Sequence, residues 1–391
     1  MFLFLFLERK HAQACIILYS MPKKVAILCS GLDNVMRGYE THCRTLFDCL
    51  AEERVEGAEF LLFKRQGERK PDEIVLKVPY RSDFLCQFLA KYRGDLLYWE
   101  YLFFALRFIS YCVLRRKKFD TISVIEPMAS KTIFKFRRLL PGKPKIVFTH
   151  GVWNHPSDNI NNADVFHEVS IENFAAMESY IREHHLNKKA VLLPHFLKDG
   201  AEPAYDKAAL RKEYSIRTPK VLLSVGAINR GHKRMHHVIN EAEKLPADWT
   251  LVLCGGASGK DGEGIIAMAR EKLGDRFVHL MVKREEIGKI YALADVFVLA
   301  STQEGFGIVI LEAMKAGLPV ILHKRELFRW ILKQDDCCID MEKEGLLSDL
   351  LIKHAGNDEW LKERSALNKK LFMENYSWSG VKQKYLDLFL N

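Results

Sequence analysis

Apolar and polar positions divide the chain into two series of short buried strands, each strand followed by a helix-forming stretch. The first series opens at Val25-Ala26-Ile27-Leu28-Cys29, an unbroken apolar run of the kind a parallel sheet buries on both faces. Gly31, Asp33 and Asn34 then turn the chain, and Gly38-Tyr39-Glu40-Thr41-His42 opens a helix predicted to reach Glu53. Further strands are predicted over 119–125, 145–149 and 165–170, and residues 190–196 lead out of this series. The second series restarts at 221–226 and continues through 250–254, 277–282 and 295–301 to 318–322. Strand, loop and helix repeated in this order predict an α/β fold with parallel sheets, whose ligands sit at the strand ends. Residues 198–219 separate the two series. They are polar, broken by Gly200, Pro203 and Pro219, and hold a short predicted helix over 206–214.

The stretch Leu96–Leu114 is long enough to cross a bilayer. Glu100 and Arg107 fall within it and Arg115-Arg116-Lys117-Lys118 closes it, which argues for a helix packed on the sheet with one face towards lipid headgroups. Residues 2–7 are apolar but shorter than a signal-peptide core, and Glu8-Arg9-Lys10-His11 follows at once. Residues 1–20 are therefore read as a leader without a secretion signal, with a short membrane-touching arm as the alternative and Met21 as a candidate start.

The candidate chemistry centres on Glu304-Gly305-Phe306-Gly307 and the short helix after it. Gly305 and Gly307 let the backbone approach a ligand closely, and a helix N-terminus opening from such a loop suits a phosphate. Glu312 is the polar exception in an apolar helix and needs a hydrogen-bonding partner, which a vicinal diol such as a ribose would supply. Arg230, His232 and Lys233 lie between the Gly226 turn and the next helix, a second seat for a diphosphate. His150 ends a strand where open α/β sheets keep their sites.

Other chemistries lose ground on the same residues. Gly31 and Gly38 alone do not make a dinucleotide fingerprint, and the loop 255–261 lacks the first glycine and the Ser/Thr of a P-loop, with Cys254 and Asp261 in those places. His232 and His236 have no further clustered ligands, so no metal site is assigned.

The string Glu304-Gly305-Phe306-Gly307-Ile308-Val309-Ile310-Leu311-Glu312-Ala313-Met314-Lys315-Ala316-Gly317-Leu318-Pro319-Val320 resembles the retaining glycosyltransferases of family 4, with their two glutamates eight residues apart. The resemblance is close from 221 to 320 and looser from 24 to 196. It implies the GT-B architecture, two Rossmann-like domains across a cleft. The domains would be an N-terminal acceptor-binding domain over 21–197, the linker 198–219, a nucleotide-sugar-binding domain over 220–375, and a crossover helix over 376–391. It implies retaining transfer of a sugar from a nucleoside-diphosphate sugar to an acceptor hydroxyl, with His150 and Glu304 at the reacting sugar. The diphosphate falls to Gly305, Phe306, Gly307 and Lys233, the ribose to Glu312, and a loop role to Gly38. The chain departs from the family in holding Ala227 where an arginine is usual, so Arg230 is the expected replacement. No Asp-x-Asp occurs, which implies a metal-independent reaction with no cofactor beyond the donor. The rival readings are a nucleotide-sugar epimerase on the same architecture and a catalytically weak lipid-binding scaffold.

Composition places these expectations in a chain of 391 residues, 48% hydrophobic and 28% charged, ample for two cored domains. Nine cysteines without regular spacing fit a reducing cytoplasm. Between residues 60 and 145, 19 Lys and Arg face 8 Asp and Glu, a net +11 against +9 for the whole chain. That excess points to an anionic partner, a membrane's inner face or a lipid-linked or saccharide acceptor in surface polysaccharide or glycolipid assembly, or else to solvated helix faces. No nucleic acid is expected.

Overall fold

The computed structural model describes residues 22–34, 38–92, 95–151, 154–200, 203–257, 259–354 and 358–391; the leader over 1–20 lies outside them. Seven strands form the first sheet: β1 Lys23–Leu28, β2 Ala58–Lys64, β3 Glu73–Val75, β4 Thr121–Val124, β5 Lys145–His150, β6 Val165–Glu168 and β7 Lys189–Leu192. Their order is β3-β2-β1-β4-β5-β6-β7 and every pairing is parallel. The connecting helices are α1 Gly38–Glu53, α2 Phe84–Ala90, α3 Leu96–Leu114, α4 Pro127–Lys135, α5 Pro156–Asn159 and α6 Ile171–Glu183.

The linker holds α7 Lys207–Glu213, capped by the Asp206 carboxylate on the amides of Ala208 and Ala209. Six parallel strands follow: β8 Lys220–Val225, β9 Trp249–Cys254, β10 Phe277–Leu280, β11 Val296–Leu299, β12 Val320–His323 and β13 Cys338–Ile339. They lie in the order β10-β9-β8-β11-β12-β13, which repeats the first sheet. Their helices are α8 Met235–Glu243, α9 Gly259–Leu273, α10 Ile287–Leu293, α11 Ile308–Lys315, α12 Glu326–Leu332, α13 Leu346–His354 and α14 Asp358–Asn375, before the terminal α15 Trp378–Leu390.

The unbroken apolar runs become strands because helices cover both faces of each sheet: β4, β9, β11 and β12 are buried at every position. The strand order reverses between β1 and β4 in one sheet and between β8 and β11 in the other. Loops there splay apart and leave a crevice at the strands' C-terminal ends.

α15 returns to the first domain. Trp378, Val381, Tyr385 and Phe389 share a core with Val25, Ile27 and Phe60, and the Thr121 hydroxyl donates to the Phe389 carbonyl at 2.7 Å. Where the chain crosses back, Leu197 N donates to Tyr376 O (2.9 Å) and Trp378 N to Leu197 O (3.0 Å). The two passages between the domains are thus tied to each other.

α3 packs on the sheet through Phe104, Phe108 and Cys112. Glu100 points into the protein, fully buried, and accepts from Arg81 Nε at 2.9 Å. All eight described cysteines are buried free thiols, Cys337 and Cys338 among them.

Candidate active site between the two sheets

The loops after β1 and β5 of the first sheet meet the loop after β11 of the second. A Cβ on Gly305 would lie 2.1 Å from the Gly151 carbonyl oxygen, and one on Gly38 would lie 3.6 Å from Ile308 Cδ1. At Gly305 only backbone fits between the domains, whereas a methyl at Gly38 would make an ordinary contact. Gly307 ends the second loop at φ 93°, a left-handed conformation that glycine adopts at little cost, and from it α11 begins.

Three cavities follow one another along this seam. One of about 310 Å³ is lined by Arg284, Tyr291 and Glu312 together with Leu197 and Tyr205. The second, about 270 Å³, lies at the start of α11 between Gly38, Tyr39, His195, Lys233 and the run Glu304 to Val309. The third, about 830 Å³, is lined by Ser170, Glu172, Asn173, His232, Arg325 and again Glu304 and Gly305. Glu304 and Gly305 are common to the last two, and eight-residue α11 spans the roughly 12 Å between its own ends.

Lys233 is held over Gly226, with its amide donating to Asn229 Oδ1 at 3.1 Å. Its ammonium bonds the Glu304 carboxylate, and both side chains are nearly buried. The loop that carries it is pinned to the next by Thr302 N donating to His232 O, 2.9 Å.

Glu312 does not wait for a diol. Tyr291 Oη donates to Glu312 Oε2 at 2.7 Å, and Arg284 pairs with Oε1. Burial works against the charge on Arg284, and the Glu312 carboxylate outweighs it, so the guanidinium stays charged; burial and the same carboxylate push the Tyr291 phenol well up. Glu312 thus has hydrogen-bonding partners within the protein, Tyr291 and Arg284. The helix carries its own partners, and Glu312 is an acceptor fixed in place at the wall of a cavity.

Two other expectations meet a different geometry. Arg230 is more than half exposed, with its amide bonded to Asp261 Oδ2 at 2.9 Å and its side chain beside the same carboxylate. It lines none of the three cavities; its side chain lies at the surface, 3.6 Å from the Asp261 carboxylate. His150 is buried behind Gly151, its Nδ1 3.2 Å from Glu168 Oε2 and its Nε2 3.4 Å from Asn159 Nδ2. It stands one residue from the contact with Gly305 and does not face the cavities itself.

The structure adds Tyr39 and His195, which nothing in their local sequence marks out beyond their places after Gly38 and Pro194. The His195 ring lies 4.0 Å from that of His42 and 5.2 Å from that of Phe306. Burial, with His167 nearby, lowers its pKa to about 3, so the ring is neutral near pH 7, and its Nδ1 has no hydrogen-bond partner among the described residues. Arg325 joins the domains through Glu172, at 2.8 Å.

Comparison with known proteins agrees with this arrangement. Residues 206–370 match the family model described as glycosyl transferases group 1, and the whole chain has the GT-B fold. Alpha-maltose-1-phosphate synthase of Mycolicibacterium smegmatis is 24% identical over 205 residues, covering 48% of this chain and 52% of its own. N-acetyl-alpha-D-glucosaminyl L-malate synthase of Bacillus anthracis is 29% identical over 154 residues, 38% of this chain and 40% of its own. The chain thus spans about half or less of the length of these curated relatives. Among solved structures, sucrose-phosphate synthase from Thermosynechococcus elongatus superposes with a TM-score of 0.72 at 18% identity, over 94% of this chain and 99% of that one. Anabaena HepE in complex with UDP and glucose does so at 0.69 and 14% identity, over 94% and 99%. At these identities the superpositions establish the fold.

Proposed function

We propose that the protein is a retaining glycosyltransferase that moves a sugar from a nucleoside-diphosphate sugar to an acceptor hydroxyl in surface polysaccharide or glycolipid assembly. The observation that carries this reading is the run of three cavities along α11, with Glu312 in the first, the helix start and Lys233 in the second, and Glu304 shared by the second and third. The nucleoside enters the first, where Glu312, oriented by Tyr291 and Arg284, accepts from the ribose hydroxyls. The diphosphate lies at the amides opening α11, with Lys233 as its cation and Gly38 giving it room. The sugar reaches Glu304, whose carboxylate faces positive charge as it develops at the anomeric carbon.

Charge on the leaving diphosphate is met by Lys233 and the α11 dipole, a metal-independent scheme. The acceptor approaches through the largest cavity, past Glu172 and Arg325, and the leaving phosphate takes its proton on the face from which the sugar departs. His150 acts from behind, fixing the Gly151 carbonyl against Gly305. Membrane proximity on the cytoplasmic face belongs to the same proposal.

The test is thermal unfolding with UDP, GDP, ADP, CDP and CMP on the wild type and Glu312→Gln, followed by NMR assignment of the product's anomeric configuration. A ligand at a hundred times its Kd stabilises by about 2.7 kcal/mol. One nucleoside diphosphate should raise the wild-type midpoint and spare the variant's, and its sugar conjugate should give product with the donor's configuration. No shift with any nucleotide, or an inverted product, defeats the reading.

A further inference from the structure

The first domain carries an apolar surface that its own core does not use. α2 buries only Cys86 fully. Phe84, Phe88 and Tyr92 follow one another at four-residue spacing, their successive ring centroids 6.0 and 5.3 Å apart, and Phe84 is 80% and Tyr92 77% exposed. The adjacent α3 is apolar on both sides. Phe104, Phe108 and Cys112 enter the core, while Leu96, Leu106, Val113 and Leu114 are exposed. A helix with a second apolar face left in water marks a contact surface.

Cations predominate at this surface, beside the exposed carboxylates of Asp83 and Asp95. Lys91, Arg107 and the four residues Arg115 to Lys118 are exposed. The neighbouring acids are engaged locally: Asp83 accepts from Tyr80 N at 2.8 Å, Asp95 from Leu97 N at 2.9 Å, and Glu100 is buried on Arg81. Exposed aromatic rings bordered by a surplus of cations complement one environment above others, the headgroup region of an anionic bilayer.

We propose that α2 and the outward face of α3 dock the protein on an anionic lipid surface, the Phe84, Phe88 and Tyr92 rings entering the headgroup layer and the basic end of α3 lying on lipid phosphates. α3, about 28 Å long, lies along the interface rather than across it, because its other face is part of the domain core. α2 follows β3, and α3 then carries the chain back to the start of β4. α2 therefore sits at the strands' C-terminal level, the same level as the cleft, and docking holds the cleft close to the bilayer surface. The surface shares no residue with those assigned to sugar transfer, so its failure would remove the membrane proximity from the proposed function and leave the transfer reaction itself standing.

Flotation of the full chain with vesicles of phosphatidylcholine alone, or mixed with phosphatidylglycerol, tests this. The wild type should float with the anionic vesicles and be released by high salt. Phe84→Ser/Phe88→Ser should lower the bound fraction about tenfold. Glutamine at all of Arg115 to Lys118 should remove the preference for anionic vesicles by at least about tenfold. Both variants should keep the wild-type unfolding midpoint, which shows that they fold. The proposal is overturned if the wild type binds neither vesicle or if both variants bind as the wild type does. It is equally overturned if deleting residues 1–20 abolishes binding that Phe84→Ser/Phe88→Ser retains. Sedimentation showing a wild-type dimer that this double variant dissociates, without vesicle binding, would assign the surface to a second copy instead.

Discussion

The Lys233 ammonium is bonded to the Glu304 carboxylate, so the cation proposed for a diphosphate and the carboxylate proposed for a sugar neutralise each other. A donor entering between them replaces that pair with two separate contacts. Lys233→Ala should therefore weaken nucleoside-diphosphate binding by about 10- to 100-fold, the worth of one charge-assisted hydrogen bond. Glu304→Gln should leave that affinity within about threefold and lower turnover by about 100-fold. Calorimetric titration with steady-state transfer rates separates the two, and equal loss of nucleotide affinity in both would contradict the division of roles.

Glu312 holds two partners, and they differ in what its loss leaves behind. Glu312→Ala strands a buried tyrosine hydroxyl and a partly exposed guanidinium, and should cost about 2–3 kcal/mol in urea unfolding. Tyr291→Phe removes a hydroxyl that donates to Glu312 Oε2 at 2.7 Å and lies 3.4 Å from the Val309 carbonyl oxygen, and should cost about 1 kcal/mol. If the order were reversed, the Tyr291 hydroxyl would have to be held by some group other than Glu312.

Gly305→Ala tests the contact between domains. Its added methyl would meet the Gly151 carbonyl oxygen at 2.1 Å, and Gly305 is not among the residues at positive φ, so the effect is collision rather than backbone strain. The domains should part, raising the radius of gyration by X-ray scattering, with turnover lost and each domain still folded. Unchanged scattering with unchanged turnover would show that the contact yields without consequence.

Stability should fall as pH drops from 7 to 5. Burial lowers His195 to about 3 and His167 to about 4 from an ordinary 6.5. The unfolded chain therefore takes up protons below pH 6.5 that the folded chain refuses, and the folded state loses ground as pH falls, by up to about 2 kcal/mol per histidine by pH 5. Glu126 opposes this. Burial raises it from 4.5 to about 7 against the hydrogen bonds from Ser30, so its contribution is full below 4.5 and lost as pH rises through 7. Urea midpoints across this range should change less steeply in His195→Asn and more steeply in Glu126→Gln. The opposite pair of changes would reverse the assigned protonation states.

The alternation of apolar runs with glycine turns was enough to predict two parallel sheets and their central strands, because a strand buried on two faces can carry little else, but not β2, β3 and β13 at or near the edges. α1 and α3 begin and end where their patterns begin and end, at Gly38 and Glu53 and at Leu96 and Leu114. The loop from Glu304 to Gly307 and the helix after it were equally legible, since their glycines and the isolated glutamate are local features of the chain. Pairing was not legible. Whether Glu312 meets a ligand or Arg284 and Tyr291 depends on a helix and a turn some twenty residues upstream in the sequence. Arg230 was expected to face the cleft, and it lies at the surface beside Asp261, thirty-one residues away. His150 was placed correctly at a strand end, but the neighbouring strand supplies Glu168 to hold its ring away from the cavities. Local periodicity fixes which elements form, because it depends on neighbours a few residues apart. Which charge neutralises which is decided only when the sheets and their loops have packed, since it depends on distances between segments that the chain order does not set.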